Sequence, residues 1–247
     1  MAAALAAEAA IATAAFLLPT VVMGALFSHL GTSARAAGIG FGRALGLNTL
    51  GAALAPLLFG VLLVPALGPR LALLLVAAGY LALSSRRAWR APAQWAAAAA
   101  TVALAAWGPS LTIVDVPPGG RLLSHREGVM GAVSVVENAG GEATLHINNR
   151  QQEGSSATLL ADGRQALLPL LLHPAPERAL FLGLGTGITV SSATNDAMLT
   201  VDAVELLPEV IEASAHFTRD VDAARRSRLR LVAADARRFV RTAREPY

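Results

Sequence analysis

The stretch Arg178-Ala-Leu-Phe-Leu-Gly-Leu-Gly-Thr-Gly187 decides the fold of the soluble part of this chain. It follows His173-Pro-Ala-Pro176 and opens with five mostly apolar residues, the length of a buried strand. Three glycines on alternate positions come next, and residues 188–195 then read as a helix. The pattern is strand, tight turn, helix. Working outward, residues 156–173 form a long helical stretch with an apolar face, stopped by Pro174. Downstream, residues 199–204 read as a second strand closing on Glu205 and residues 207–217 as a helix. Residues 228–232 read as a third strand, and Asp235 opens another helix. Strands and helices alternate, so the strands are expected to lie parallel with helices on their faces.

Glycines at 183, 185 and 187 let the backbone turn and approach a ligand without Cβ clashes. The helix after them presents free N–H groups. Glu205 lies 18 residues beyond Gly187, at the end of the next strand. An acid at that distance can accept hydrogen bonds from two ribose hydroxyls; the alternative is a solvated acid at a strand end. Asp235, with Ala236, stands where an acid can accept from an adenine amine, or can cap the following helix. Residues 153–247 thus read as a partial, Rossmann-like, doubly wound nucleoside-binding domain.

Before this domain the sequence changes character. Residues 108–120, rich in Pro and Gly, form a linker. Residues 131–137 and 143–148 are β-branched or alternating and flank Asn138-Ala-Gly-Gly-Glu142, a hairpin signal. A small antiparallel β unit is expected over residues 121–152.

The first 107 residues are different in kind. The whole chain is 54% hydrophobic and only 15% charged, against about 25% charged in an ordinary soluble domain. Residues 1–107 hold six Arg and one acid, Glu8, for a net +5; the remainder holds fourteen Arg and sixteen acids, for a net −2. The basic balance therefore belongs to the apolar half and does not mark a nucleic-acid partner. Apolar runs at 2–27, 39–67, 71–83 and 93–107 read as four membrane spans, making the lipid bilayer a partner and the chain a multi-pass inner-membrane protein. Gly38, Gly42 and Gly46 are spaced to form one small-residue helix face, through which helices pack closely. That face, or the soluble domain, is where copies of the chain would associate. Asn48 and Thr49 read as interhelical hydrogen-bonding groups, and Pro19 and Pro56 as helix kinks. The positive-inside rule places Arg35, Arg43, Arg86, Arg87 and Arg90 in the cytoplasm. Four spans would then export the C-terminal domain, whereas Arg121 and Arg126 favour its retention. The nucleotide chemistry places it in the cytoplasm.

Gly183–Gly187, the segment from Val201 through Glu205 to Ile211, and Arg230 to Asp235 resemble the spermidine synthase family of aminopropyltransferases. Leu18-Pro-Thr-Val-Val-Met-Gly24 and Asn48-Thr-Leu-Gly51 are similar to its membrane-fused bacterial branch. The resemblance implies transfer of an aminopropyl group from decarboxylated S-adenosylmethionine to a small-molecule amine such as putrescine. It assigns Gly183, Gly185 and Gly187 to the cofactor's chain, Glu205 to the ribose, and Asp235 with Ala236 to the adenine. Gln152, or its neighbour Gln151, falls at a family glutamine near the nucleoside. Two features depart from the family. Its acceptor site has a Tyr and an acid in the helix before the glycine loop, where this chain offers only Asp162. Its catalytic aspartate follows on a strand that would lie beyond Tyr247, so the sequence reads as truncated and its catalytic residue as unknown. The alternatives are a methyltransferase using S-adenosylmethionine itself and a non-catalytic nucleoside-binding or transport-coupled membrane protein.

The five histidines show no ligand spacing, so no metal is expected. With no cysteine in the chain, thiolate chemistry is excluded. Arg225, Arg226, Arg228 and Arg230 read as a solvated loop face, with anionic lipid as the rival partner.

Overall fold

The apolar runs become long helices because nothing in them competes for the backbone. In the computed structural model, which describes residues 2–109, 111–243 and 247, α1 covers Ala2–Ala36 and passes through Pro19 without ending. Thr13 and Thr32 donate their hydroxyls to the carbonyls of Ala9 and Ser28, four residues back, at 2.7 and 2.9 Å. Such bonds satisfy a hydroxyl where water is absent.

Helix α2 is Phe41–Pro56, a π-helical stretch covers Leu57–Leu63, and α3 is Val64–Leu83. Pro56 and Pro65 bracket the widened stretch, and neither can donate an N–H to the helix ladder. Among the described residues, two helices are long and apolar enough to cross a membrane, Ala4–Ala36 and Phe41–Leu83. Gly68, at φ 79° and ψ 163°, breaks the second of them, and Pro69 restarts it from a position where its missing N–H costs nothing. The apolar run expected at 71–83 is therefore the tail of α3. Helix α4, Pro92–Trp107, corresponds to the fourth run and has only 16 residues. The expected glycine face is also shortened. Gly38 sits outside the helix at φ 79°, so the four-residue spacing is helical only from Gly42 to Gly46.

By contact density the chain divides into two units, Met1–Leu58 and Phe59–Tyr247. In the second, α3 and α4 lie together, and the Arg70 guanidinium donates to the Gly108 carbonyl, joining the start of one helical arm to the end of the other. Four antiparallel strands follow: β1 Arg121–Glu127, β2 Ala132–Glu137, β3 Ala143–Ile147 and β4 Gln151–Ser155, in that spatial order. The expected hairpin is its centre, with Glu137 opposite Ala143. Its turn is held by Asn138 Oδ1, which accepts from the amides of Gly140 and Glu142 at 2.9 and 3.0 Å.

A short 3-10 turn leads into α5, Leu159–Leu172. The parallel sheet then consists of β5 Arg178–Leu182, β6 Thr200–Glu205 and β7 Leu229–Ala233, in that order. Between them run α6 Ile188–Ala193, α7 Pro208–Ser214 and α8 Ala223–Arg226, and α9 covers Ala236–Thr242. Helix α7 belongs to both sheets. Its Leu207, Val210 and Ala213 side pack with Val133, Val135 and Leu145 of the antiparallel sheet. A second core of Val190, Leu199, Val201 and Ala203 forms under the parallel sheet.

Candidate nucleoside site

The parallel register brings the predicted site residues to one edge. Leu182 stands beside Val204 in β5 and β6, and Glu205 beside Ala233 in β6 and β7. The glycine loop, Glu205 and the start of α9 therefore follow one another across neighbouring strand ends, each about 4.8 Å from the next. This is the edge where open α/β sheets bind ligands.

All three loop glycines hold positive φ: 108° at Gly183, 55° at Gly185 and 76° at Gly187. A Cβ on Gly187 would sit 3.2 Å from Thr218 Cγ2 and 3.3 Å from Ser214 Cβ, so packing and conformation both demand glycine there. Gly183 is exposed with open space beyond it. Its amide donates to the Val204 carbonyl at 2.8 Å, locking the loop to β6.

Glu205 is clasped by backbone. One carboxylate oxygen accepts from the Leu184 amide at 2.9 Å and the other from the Leu207 amide at 3.0 Å. An ionised carboxylate has about four acceptor positions, so each oxygen keeps one for an incoming hydroxyl. This rigid clasp is invisible in the spacing of the sequence, since both donors are main-chain groups of unremarkable leucines. Asp235 caps α9: its Oδ1 accepts from the Arg238 amide at 2.8 Å. Asp235 also lines an open cleft of about 610 Å³ with Arg237, Arg238, Arg241 and Thr242. Ala236 is the first residue of α9.

Gln152 lies on β4, paired with His146, and is exposed. The same strand backs onto the glycine loop. A Cβ on Gly154 would come within 2.8 Å of Thr186 Cγ2, and one on Gly185 within 3.4 Å of the Glu153 carbonyl. Gln152 is thus carried by the strand that the loop touches. Gln151 pairs through its backbone with Ile147.

The arginine run is only partly a solvated face: Arg226 and Arg230 are exposed, while Arg225 and Arg228 turn inward. Arg225 donates to the Ser191 carbonyl at 2.7 Å and to Thr194 Oγ1 at 3.2 Å, and Arg228 donates to the Thr194 carbonyl at 2.8 Å. Arg226 donates to the Val221 carbonyl at 2.9 Å. Arg230 grips both oxygens of Asp202, at 2.7 and 2.8 Å, and holds that carboxyl below its ordinary range. The inward turn of Arg225 and Arg228 has no signature in the sequence, because their partners on α6 and its flank lie 31 to 34 residues away.

Among the described residues, no group of three or more His, Cys, Asp or Glu is placed to hold a metal. The residues present do fit a nucleoside. They offer a glycine turn open at Gly183, a fixed carboxylate with acceptor capacity to spare, and a second carboxylate two positions beyond β7.

No protein-family model and no curated protein matches the chain. Among solved structures it is similar to a spermidine synthase in complex with the transition state analogue AdoDATO and to the spermidine synthase from Thermotoga maritima. Each of these is 20% identical, covering 49% of this chain and 43% of that chain, with a TM-score of 0.44. It is also similar to a probable spermidine synthase from Corynebacterium glutamicum, at 14% identity, covering 53% of this chain and 48% of that one, with a TM-score of 0.35. The chain spans less than half the length of these proteins.

Proposed function

We propose that the chain is a membrane-anchored, spermidine synthase-like module that binds decarboxylated S-adenosylmethionine and presents its aminopropyl group to a small-molecule amine. The observation that carries the reading is the Glu205 carboxylate, fixed by the Leu184 and Leu207 amides beside the glycine loop. A rigid acceptor pair there suits a ribose diol, and Asp235 with Ala236 would take the adenine. Gly183, Gly185 and Gly187 would pass the sulfonium-bearing chain, with Gln152 alongside. The donor class is what the resemblance of these motifs to the aminopropyltransferases implies.

The chemistry asks little of the protein beyond placement. The amine nitrogen attacks the methylene carbon attached to sulfur, and the carbon–sulfur bond breaks with its electron pair passing to the neutral thioether. The new ammonium then sheds a proton to a base. The protein's part is to hold the two reactants in line and to keep the amine deprotonated. Glu205 and Asp235 both accept from backbone amides, so neither is assigned as that base.

One observation favours methyl transfer from S-adenosylmethionine as the second reading. Asp162, which accepts from Thr158 Oγ1 at 2.8 Å, is the only carboxylate on α5, so that helix offers a single carboxylate for the two ends of a diammonium acceptor. Calorimetry on the full chain separates the two. Tighter binding of the decarboxylated donor supports aminopropyl transfer, and tighter binding of the intact donor overturns it in favour of methyl transfer. Heat from neither would remove the nucleoside site altogether.

A further inference from the structure

The two helical arms of the second unit end in a turn whose chemistry the nucleoside site does not use. Residues 69–83 and α4 run side by side, about 22 and 24 Å long at 1.5 Å per residue. Arg70 and Gly108 close one end. Residues 84–91 form the other, and three arginines, Arg86, Arg87 and Arg90, are all exposed there. Among the described residues none of their guanidinium groups has a hydrogen bond or an ion pair. Trp89 and Trp95 meet edge to face with ring centroids 5.2 Å apart, and Trp95 Nε1 donates to the Trp89 carbonyl at 2.9 Å. Gln94 ties the turn back to Ser84 Oγ at 2.8 Å. Trp95 nevertheless leaves 63% of its surface open.

This combination has a physical reading. Both arms are shorter than the hydrocarbon core of a bilayer, about 30 Å, and three unpaired arginines are costly inside it. Indole rings settle at the boundary between headgroup and acyl chain. Guanidinium forks match phosphate oxygens two at a time. Leu73, Leu75, Val102 and Leu104 along the arms are 47–65% exposed, so the apolar body of the hairpin also has surface to cover.

We propose that this hairpin lies in the membrane interface and that its Arg86–Arg90 turn binds the phosphodiester headgroups of anionic phospholipids. The inference rests on the membrane-anchored reading above but not on the nucleoside site.

The three tryptophans of the chain are 89, 95 and 107, so Trp107→Phe leaves only the indoles of the turn. The full chain carrying that substitution is reconstituted in vesicles of mixed phosphatidylglycerol and phosphatidylcholine. Either lipid is brominated near the headgroup end of its chains, and tryptophan quenching gives their relative association. Each arginine at an anionic surface enriches it about fivefold, so at least about fivefold preference for phosphatidylglycerol is expected. The variant that also carries Arg86→Gln, Arg87→Gln and Arg90→Gln should be quenched equally by both lipids. Equal quenching of the unsubstituted turn overturns the headgroup site and leaves the hairpin in the membrane. Quenching by neither lipid overturns the interfacial placement as well. Loss of the preference on adding free glycerol phosphate would mean a soluble phosphate ligand and also overturn the proposal. Nucleoside calorimetry on the same preparation keeps these outcomes separate from failure of the donor site.

Discussion

Glu205 is the residue on which the nucleoside reading turns. Its two oxygens each accept one backbone amide, which fixes the carboxylate before any ligand arrives. Glu205→Gln keeps the size but replaces one acceptor oxygen with an NH₂ group. That group faces either the Leu184 or the Leu207 amide, donor against donor. A hydrogen bond to a charged group contributes about 1.5–3 kcal/mol, so the donor's Kd should weaken about ten- to hundredfold, with a lower melting temperature from the broken clasp. Calorimetry and thermal melting read the two effects separately. A variant that binds as tightly as the parent would take Glu205 out of the site. The position of Glu205 was legible from its spacing after the glycines, but its rigidity was not, because spacing carries no information about main-chain donors. Asp235 illustrates the converse. Its helix cap could be read directly from the sequence, and the structure shows that cap.

At the scale of elements, the parallel strands were the most readable part of the chain. Residues 178–182 are bounded by prolines and glycines, and residues 200–205 place buried Val201, Ala203 and Val204 between Thr200 and Glu205, so each carries its own boundaries. The outer strands of the antiparallel sheet do not. Gln151-Gln-Glu-Gly-Ser155 has no apolar alternation and is a strand because β3 templates it. Arg121–Glu127 carries a register shift between Leu122 and Ser124. Helix α6 depends on tertiary support in the same way. With 6 residues it is far below the length at which a helix stands alone, yet it begins at the glycine loop. Arg225 and Arg228 take up carbonyls at its C-terminal end, where cations are favoured. Arg225→Ala removes its bond to the Ser191 carbonyl and its bond to Thr194 Oγ1, at about 0.5–1.5 kcal/mol each. Amides 188–194 should then exchange about tenfold faster by hydrogen–deuterium exchange, with a smaller loss of donor affinity. Unchanged protection would mean that α7 and the sheet alone hold the helix.

For the whole molecule, the proposed membrane anchoring makes a prediction about the side on which the proposed nucleoside edge lies. Composition announced the apolar half, yet the number of passes was not legible, because apolar runs do not reveal where a helix breaks or how long each arm is. Gly68 and the 16 residues of α4 supply that information. If residues 69–83 and α4 stay in the interface, only α1 and the helical stretch from Phe41 to the break remain to cross. Arg35 and Arg43 then flank the turn between those two. Arg70, Arg86, Arg87, Arg90, Arg121 and Arg126 all fall on the other side, with the soluble domain. The positive-inside rule weighs these two against six and so predicts a cytoplasmic domain, on the side where the proposed reading needs adenosyl sulfonium donors. The chain has no cysteine, so one introduced thiol reports without background. Ala139→Cys lies exposed in the turn between β2 and β3, away from both cores. It should resist a membrane-impermeant maleimide in intact cells and react fully after lysis. Labelling in intact cells would place the domain outside, cut it off from those donors, and leave nucleoside binding without aminopropyl transfer.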